Sequence, residues 1–173
     1  QMIFPRQASG DLLKVGGQIV GSSLIGQKFE KPQYFWGRPS AVDYNPLPSG
    51  GSNLGQTSLA LKTVVDERRA KLKAAHPDQT REPPQDLLFA SGSGLDPHMS
   101  VEAAQYQVTR VAKARGLDEK KIKKLVHDAV EERQLKIFGE RTVNVLALNR
   151  ALDKSQSLET APTLAPVPPA ETK

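Results

Sequence analysis

The chain has 173 residues, a formal net charge of +5, 38% hydrophobic residues and no cysteine, which fits one domain and excludes a disulfide framework, a thiolate metal site and a cysteine nucleophile. The basic surplus is interleaved with acids, as in D-E-R-R-A-K-L-K and D-E-K-K-I-K-K, so it reads as solvated helix faces rather than a nucleic-acid surface. The sequence contains no run of about 18 apolar residues, so nothing in it reads as a membrane-spanning helix.

Residues 1–17 begin Q-M-I-F-P-R-Q-A-S-G-D-L-L, apolar residues beside an arginine and then a turn signal, and read as a linker at a domain boundary. Residues 18–29, Q-I-V-G-S-S-L-I-G-Q-K-F, are β-branched and apolar with glycine interruptions, which predicts a strand with a bulge or close backbone approach at Gly21. From Lys31 to Gly55 the density of Pro, Gly, Ser and Asn predicts a long structured loop, a kind of segment that is usually functional when it lies inside a compact domain. Tyr34, Phe35 and Trp36 argue that this loop is ordered.

Residues 58–75 place Leu61, Val64, Val65 and Leu72 on one helix face, and Pro77 marks the stop. The short apolar run D-L-L-F-A-S at 86–91 predicts a buried strand. A second helix is expected over 101–115 between a Ser100 cap and Gly116, and a third over 119–132 behind Asp118, with Ile122, Leu125, Val126, Ala129 and Val130 at helical spacing. In 143–153 a brief extended piece leads to a last helix capped by Asn144. Residues 154–173 combine Pro, Ala and Thr without apolar periodicity, which predicts a disordered tail. Together these readings give an α/β fold. It is a single small domain over 18–153, with a short sheet built from 18–29, 86–91 and a piece near 143 and covered by about four helices.

Two glycine-serine segments are candidates for chemistry. S-G-G-S-N-L-G, with Ser49, Gly50, Gly51, Ser52, Asn53 and Gly55, could present main-chain N–H groups to a phosphate. A Walker-type loop needs Lys and Ser or Thr after its last glycine, whereas Gln56 follows Gly55, so turning and packing is the favoured reading. A-S-G-S-G-L-D-P, residues 90–97, lacks the spacing of a serine-nucleophile elbow around Ser93 and reads as a tight turn, with Asp96 capping the next helix and Pro97 at its first position. His76, His98 and His127 lie in separate segments without ligand spacing, so no metal site is expected, and nothing pairs Asp66, Asp86 or Asp96 for acid–base work. Tyr34, Phe35, Trp36 and Arg38 form an aromatic and basic cluster with two readings held equal, an anchor in a protein interface and a core plug that fixes the loop. Only 5% of the chain is aromatic, too little for a base-stacking platform.

Several segments in order resemble one family: G-S-S-L-I-G-Q (21–27), Y-F-W-G-R-P-S-A (34–41), S-G-G-S-N-L-G (49–55), A-S-G-S-G-L-D-P (90–97), Q-V-T-R-V-A-K-A-R-G-L (107–117) and V-N-V-L-A-L-N-R-A-L-D (143–153). In this order and spacing the chain resembles the KdpC family, the C subunits of bacterial Kdp potassium-transporting P-type ATPases. The resemblance implies a non-catalytic accessory subunit that assembles with a potassium-binding channel-like subunit, a P-type ATPase subunit and a small membrane peptide. It also implies a single N-terminal membrane helix, absent from this sequence, followed by a soluble domain outside the cytoplasm; the expectation is a fragment cut at that boundary. The alternative that the resemblance brings is a catalytic chaperone that binds ATP through residues 49–55 and raises the nucleotide affinity of the ATPase subunit. The P-type phosphorylation motif D-K-T-G is absent, its nearest match being Asp153-Lys154-Ser155.

Overall fold

The computed structural model describes residues 4–133 and 137–160. In chain order the elements are α1 (Pro5–Ala8), β1 (Leu12–Val15), β2 (Gln18–Ser22), α2 (Leu59–Ala75), α3 (Gln85–Leu88), β3 (His98–Ser100), α4 (Val101–Arg115), α5 (Glu119–Asp128), β4 (Val130–Glu131), β5 (Thr142–Asn144) and α6 (Val145–Thr160). Two small antiparallel sheets result, the hairpin β1–β2 and a three-stranded sheet in the order β3–β5–β4. The α/β class is as read from the sequence, with α2, α4, α5 and α6 as its longer helices.

The helix ends follow local capping chemistry. Ser58 Oγ accepts from Leu61 N at 3.1 Å, Ser100 Oγ from Ala103 N at 2.9 Å, Asp118 Oδ1 from Lys120 N at 2.8 Å and Asn144 Oδ1 from Ala147 N at 3.0 Å. Each bond satisfies a main-chain donor that the first helical turn leaves open. At the far end of α4, Gly116 takes a left-handed φ of 65° and Leu117 N donates back to the carbonyl oxygen of Ala112 at 3.0 Å.

Helix α4 runs through the core, burying Ala103, Ala104, Tyr106, Val108, Val111 and Ala112. Ile122 and Val126 of α5, Leu148 and Leu152 of α6, and Met99 and Val143 of the three-stranded sheet close around it. Burying side chains of this size contributes about 1.5–3 kcal/mol each, so this cluster is the main stabilising mass of the domain.

Several expectations are corrected. Residues 86–91 are not a strand. Their first part forms the single turn α3, because Pro84 starts a helical turn in which Leu87 and Leu88 face the core. Strand character in 18–29 stops at Ser22, and its partner is β1, inside the stretch read as linker. The link between them is Gly16-Gly17, both at positive φ, which suits the tight two-residue hairpin turn. Helix α5 ends at Asp128 rather than 132, since Val130 and Glu131 pair with β5. Asp96 does not cap a helix; its Oδ1 accepts from His98 N at 3.0 Å, and Pro97 leads into β3. Helix α6 carries residues 154–160, the first part of the predicted tail, and residues 161–173 lie outside the described residues.

Candidate functional site

The long loop between β2 and α2 crosses the surface of the core and is tied to it from below. Phe35 is fully buried. Its main-chain N–H donates to Asn149 Oδ1 at 2.8 Å, and Asn149 Nδ2 donates to its carbonyl oxygen at 3.0 Å. One residue on, Trp36 N donates to Gln107 Oε1 at 2.8 Å and Gln107 Nε2 donates to Trp36 O at 3.0 Å. Two helix side chains therefore stand in for the neighbouring strand that this extended segment lacks, satisfying the buried main-chain groups.

Arg110 completes the anchor. Its NH1 donates to the carbonyl oxygens of Pro32 and Tyr34, its NH2 to Gln107 Oε1 at 2.7 Å and its Nε to His76 Nε2 at 2.9 Å, while the guanidinium lies 4.0 Å from the centre of the Trp36 ring system. Accepting at Nε2 requires a neutral His76, whose Nδ1–H then donates to Leu72 O at 2.7 Å. Burial pushes the His76 imidazole down to about 4, opposed by its bond to Leu72, and burial also pulls Arg110 down to about 10, so at neutral pH the pair is neutral imidazole and charged guanidinium. Among the described residues Arg110 has no carboxylate partner; oriented dipoles and a ring face carry its charge.

Arg115 repeats the pattern at the next turn of α4. It donates to Gln33 O at 2.8 Å, to Gln156 Oε1 at 2.9 Å and to Asp153 Oδ1 at 2.7 Å, and Tyr34 Oη donates to the other oxygen of Asp153 at 3.1 Å. Arg38 lies on the opposite side of the loop. Its NH1 pairs with Asp96 Oδ2 at 2.9 Å, and its buried Nε lacks a hydrogen-bond partner among the described residues. Tyr44 Oη donates to the carbonyl oxygen of Arg38 at 2.6 Å, and its phenol is pushed up to about 12 by burial, with the nearby Asp96 and Asp43 charges adding to the shift.

The two glycine-serine segments come together. Gly51 packs on Gly92, with an added β-carbon 3.0 Å from the Gly92 carbonyl oxygen. Gly94 has φ of 70°, and a β-carbon there would stand 2.6 Å from Val42 Cγ2 and 2.8 Å from Gly50 O. Contact between two backbones explains these glycines without a ligand. Gly50 and Gly55 have open space around the β position, and Ser49, Ser52 and Asn53 are exposed.

Of the residues singled out from the sequence, Phe35 and Trp36 are structural anchors, Tyr34 bonds to Asp153 and Arg38 pairs with Asp96, and residues 49–55 form an outer loop. His76, His98 and His127 are not brought together: His76 is buried beside Arg110, His98 is 3.3 Å from Glu131, and His127 is exposed on α5. Sequence reasoning missed Gln107, Arg110, Arg115 and Asn149. The signal was present as polar residues at core-facing positions of α4 and α6, beside Ala104, Val108, Val111, Leu148 and Leu152.

Among the described residues no helix is long and apolar enough to cross a membrane. A family model described as "KdpC: K+-transporting ATPase, c chain" matches residues 1–154. A protein named "Potassium-transporting ATPase KdpC subunit" from Burkholderia mallei (strain SAVP1) is 52% identical over 160 residues, covering 91% of this chain and 83% of its own length, and one of the same name from Burkholderia pseudomallei (strain K96243) matches equally. The relative of that name from Serratia proteamaculans (strain 568) is 51% identical over 156 residues, 88% of this chain and 82% of its own.

Proposed function

The chain belongs to the KdpC family of K+-transporting ATPase c chains, and from that premise we propose that it is a non-catalytic accessory subunit of a potassium-uptake complex. In this reading it docks on the potassium-binding, channel-like subunit outside the cytoplasm and holds that subunit together with the ATP-hydrolysing subunit and the small membrane peptide.

The observation that carries the reading is how the long loop is held. Gln107, Asn149, Arg110 and Arg115 bond to the main chain of residues 32–36, and farther along Gly51 packs on Gly92, so the stretch between these points is tied to the domain on both flanks. Leu47 is 82% exposed there, Leu59 in the first turn of α2 is 76% exposed, and Leu54 lies between them in sequence. Exposed leucines on a stretch whose flanks are tied down suit a protein contact, because less chain has to be ordered on binding. The test is deletion of residues 18–153 in the intact complex. Loss of assembly and of potassium-dependent turnover is expected, and full retention of both would refute the role.

The nucleotide alternative is separable by experiment. Titrating the domain with ATP while following amide shifts of Gly50, Gly51 and Asn53 is expected to give no saturable, loop-localised response. A saturable response confined to those amides would replace the docking role with nucleotide binding.

A further inference from the structure

Beside the anchored loop lies a cleft of about 250 Å³ with Leu72 and Leu87 in its lining and the rings of Trp36 and Phe29 along it. Six charged side chains face it: Lys28, Arg38, Arg68 and Lys71 against Glu30 and Asp43. Their pairing is uneven. Lys28 takes both carboxylates, at 2.8 Å from Asp43 and 3.5 Å from Glu30. Arg38 is held by Asp96 at 2.9 Å, just outside the lining. Arg68 donates to the Leu88 carbonyl oxygen at 2.8 Å, and Lys71 Nζ stands 5.7 Å from the centre of the Trp36 ring system. Neither Arg68 nor Lys71 has a carboxylate partner among the described residues. With Asp96 included, four cations meet three carboxylates, so the cleft holds one uncompensated positive charge, concentrated where positions 68 and 71 share a face of α2.

We propose that this cleft is the docking point for a single carboxylate, an Asp or Glu side chain presented by another protein subunit of the assembly, seated between Arg68 and Lys71 with its stem against Trp36 and Leu72. The inference rests on the reading of the chain as an accessory subunit and names the chemistry of its partner. Charge selects the occupant. A phosphate group carries about −1.5 to −2 near neutral pH, which exceeds the surplus and would face Glu30 and Asp43 across the cleft. A carboxylate matches the single surplus charge, and its methylene stem suits the apolar part of the lining. Where such a pair is desolvated at an interface, removing one partner slows assembly less than it speeds release.

A zero-length carbodiimide crosslinker, applied to the complete complex in its membrane, reads this contact directly, because it joins a lysine amine only to a carboxylate it already touches. The expected product links Lys71 to an Asp or Glu of another subunit, in yield well above that from exposed Lys120 on α5. Lys71→Arg keeps the charge, so it should abolish the crosslink while leaving the complex resistant to salt. Lys71→Glu should weaken retention of the subunit by about tenfold or more. Lys71 makes no hydrogen bond among the described residues, so neither variant threatens the fold. A Lys71 crosslink only to Glu30 or Asp43 of its own chain, or a yield equal to that of Lys120, overturns the inference, as does Lys71-dependent binding of the chain to phosphatidylglycerol vesicles with no intersubunit product. Failure here with assembly still dependent on residues 18–153 leaves the accessory role standing; a Lys71 crosslink in a complex indifferent to that deletion removes the accessory role alone.

Discussion

Asn149→Leu tests the central claim about the loop. Asn149 is 1% exposed, and its amide makes two hydrogen bonds to the main chain of Phe35, at 2.8 and 3.0 Å. Leucine is close in size and favours helix, so the change removes the bonds without breaking α6. Phe35 N and O then remain buried without partners, at about 1–3 kcal/mol each, for a total of about 2–6 kcal/mol. Against a typical stability of about 5–15 kcal/mol that is a large fraction, and at about 2–4 °C per kcal/mol for a domain of this size it lowers Tm by about 10 °C. Urea unfolding is the assay, followed by fluorescence of Trp36, the only tryptophan, and by far-ultraviolet circular dichroism for the helices. Trp36 adjoins Phe35, so its signal should move with the damage. A loss below about 1 kcal/mol at unchanged m value would show that Asn149 is not what holds the loop.

The neutral His76 gives a pH prediction whose sign follows from its depression to about 4, from an ordinary value near 6.5. The unfolded chain binds the extra proton first, so the contribution is complete above pH ~6.5 and is lost as pH falls toward about 4, by up to about 3 kcal/mol. His76→Gln should flatten that part of the curve in melts across this range; an unchanged slope would refute the assignment. Gly94→Ala should cost about 2–4 kcal/mol, since the new methyl meets Val42 and Gly50 O at positive φ, whereas Gly50→Ala, with open space, should stay within about 1 kcal/mol. Equal effects in parallel melts would show that the two glycine segments do not pack as described. Arg110→Met should destabilise by about 3–5 kcal/mol, because the Pro32 and Tyr34 carbonyls lose their donor; a melt within about 1 kcal/mol of the parent would contradict the anchor.

What the sequence made legible was local chemistry. Ser100, Gly116, Asp118 and Asn144 mark helix ends through bonds that reach only two to four residues, and α4 has the predicted bounds. Short segments were less readable. D-L-L-F-A-S has too few residues to distinguish period two from period 3.6, and the bond that ties its turn to β3, from Ser100 N to the Asp86 carboxylate at 2.7 Å, joins residues 14 apart in sequence. Strands β1 and β4 are only four and two residues long and exist through pairing with β2 and β5, and runs this short leave almost no imprint on composition. For the candidate site, the aromatic cluster was visible, and of its two readings the plug is what Phe35 does. The side chains that hold it were hidden because Gln107 and Asn149 act over 71 and 114 residues of sequence separation.

Arg110 reaches the loop through carbonyl oxygens, an amide, an imidazole and an indole, with no opposite charge in the set. Dissolved ions weaken attraction between charges chiefly by crowding around each member, and a buried cation solvated by fixed dipoles offers them no exposed counterpart. The hold of Arg110 on the loop therefore belongs to the class of contacts that brine leaves intact. A domain fastened in this way keeps its outer face in one shape while the electrolyte around it rises and falls.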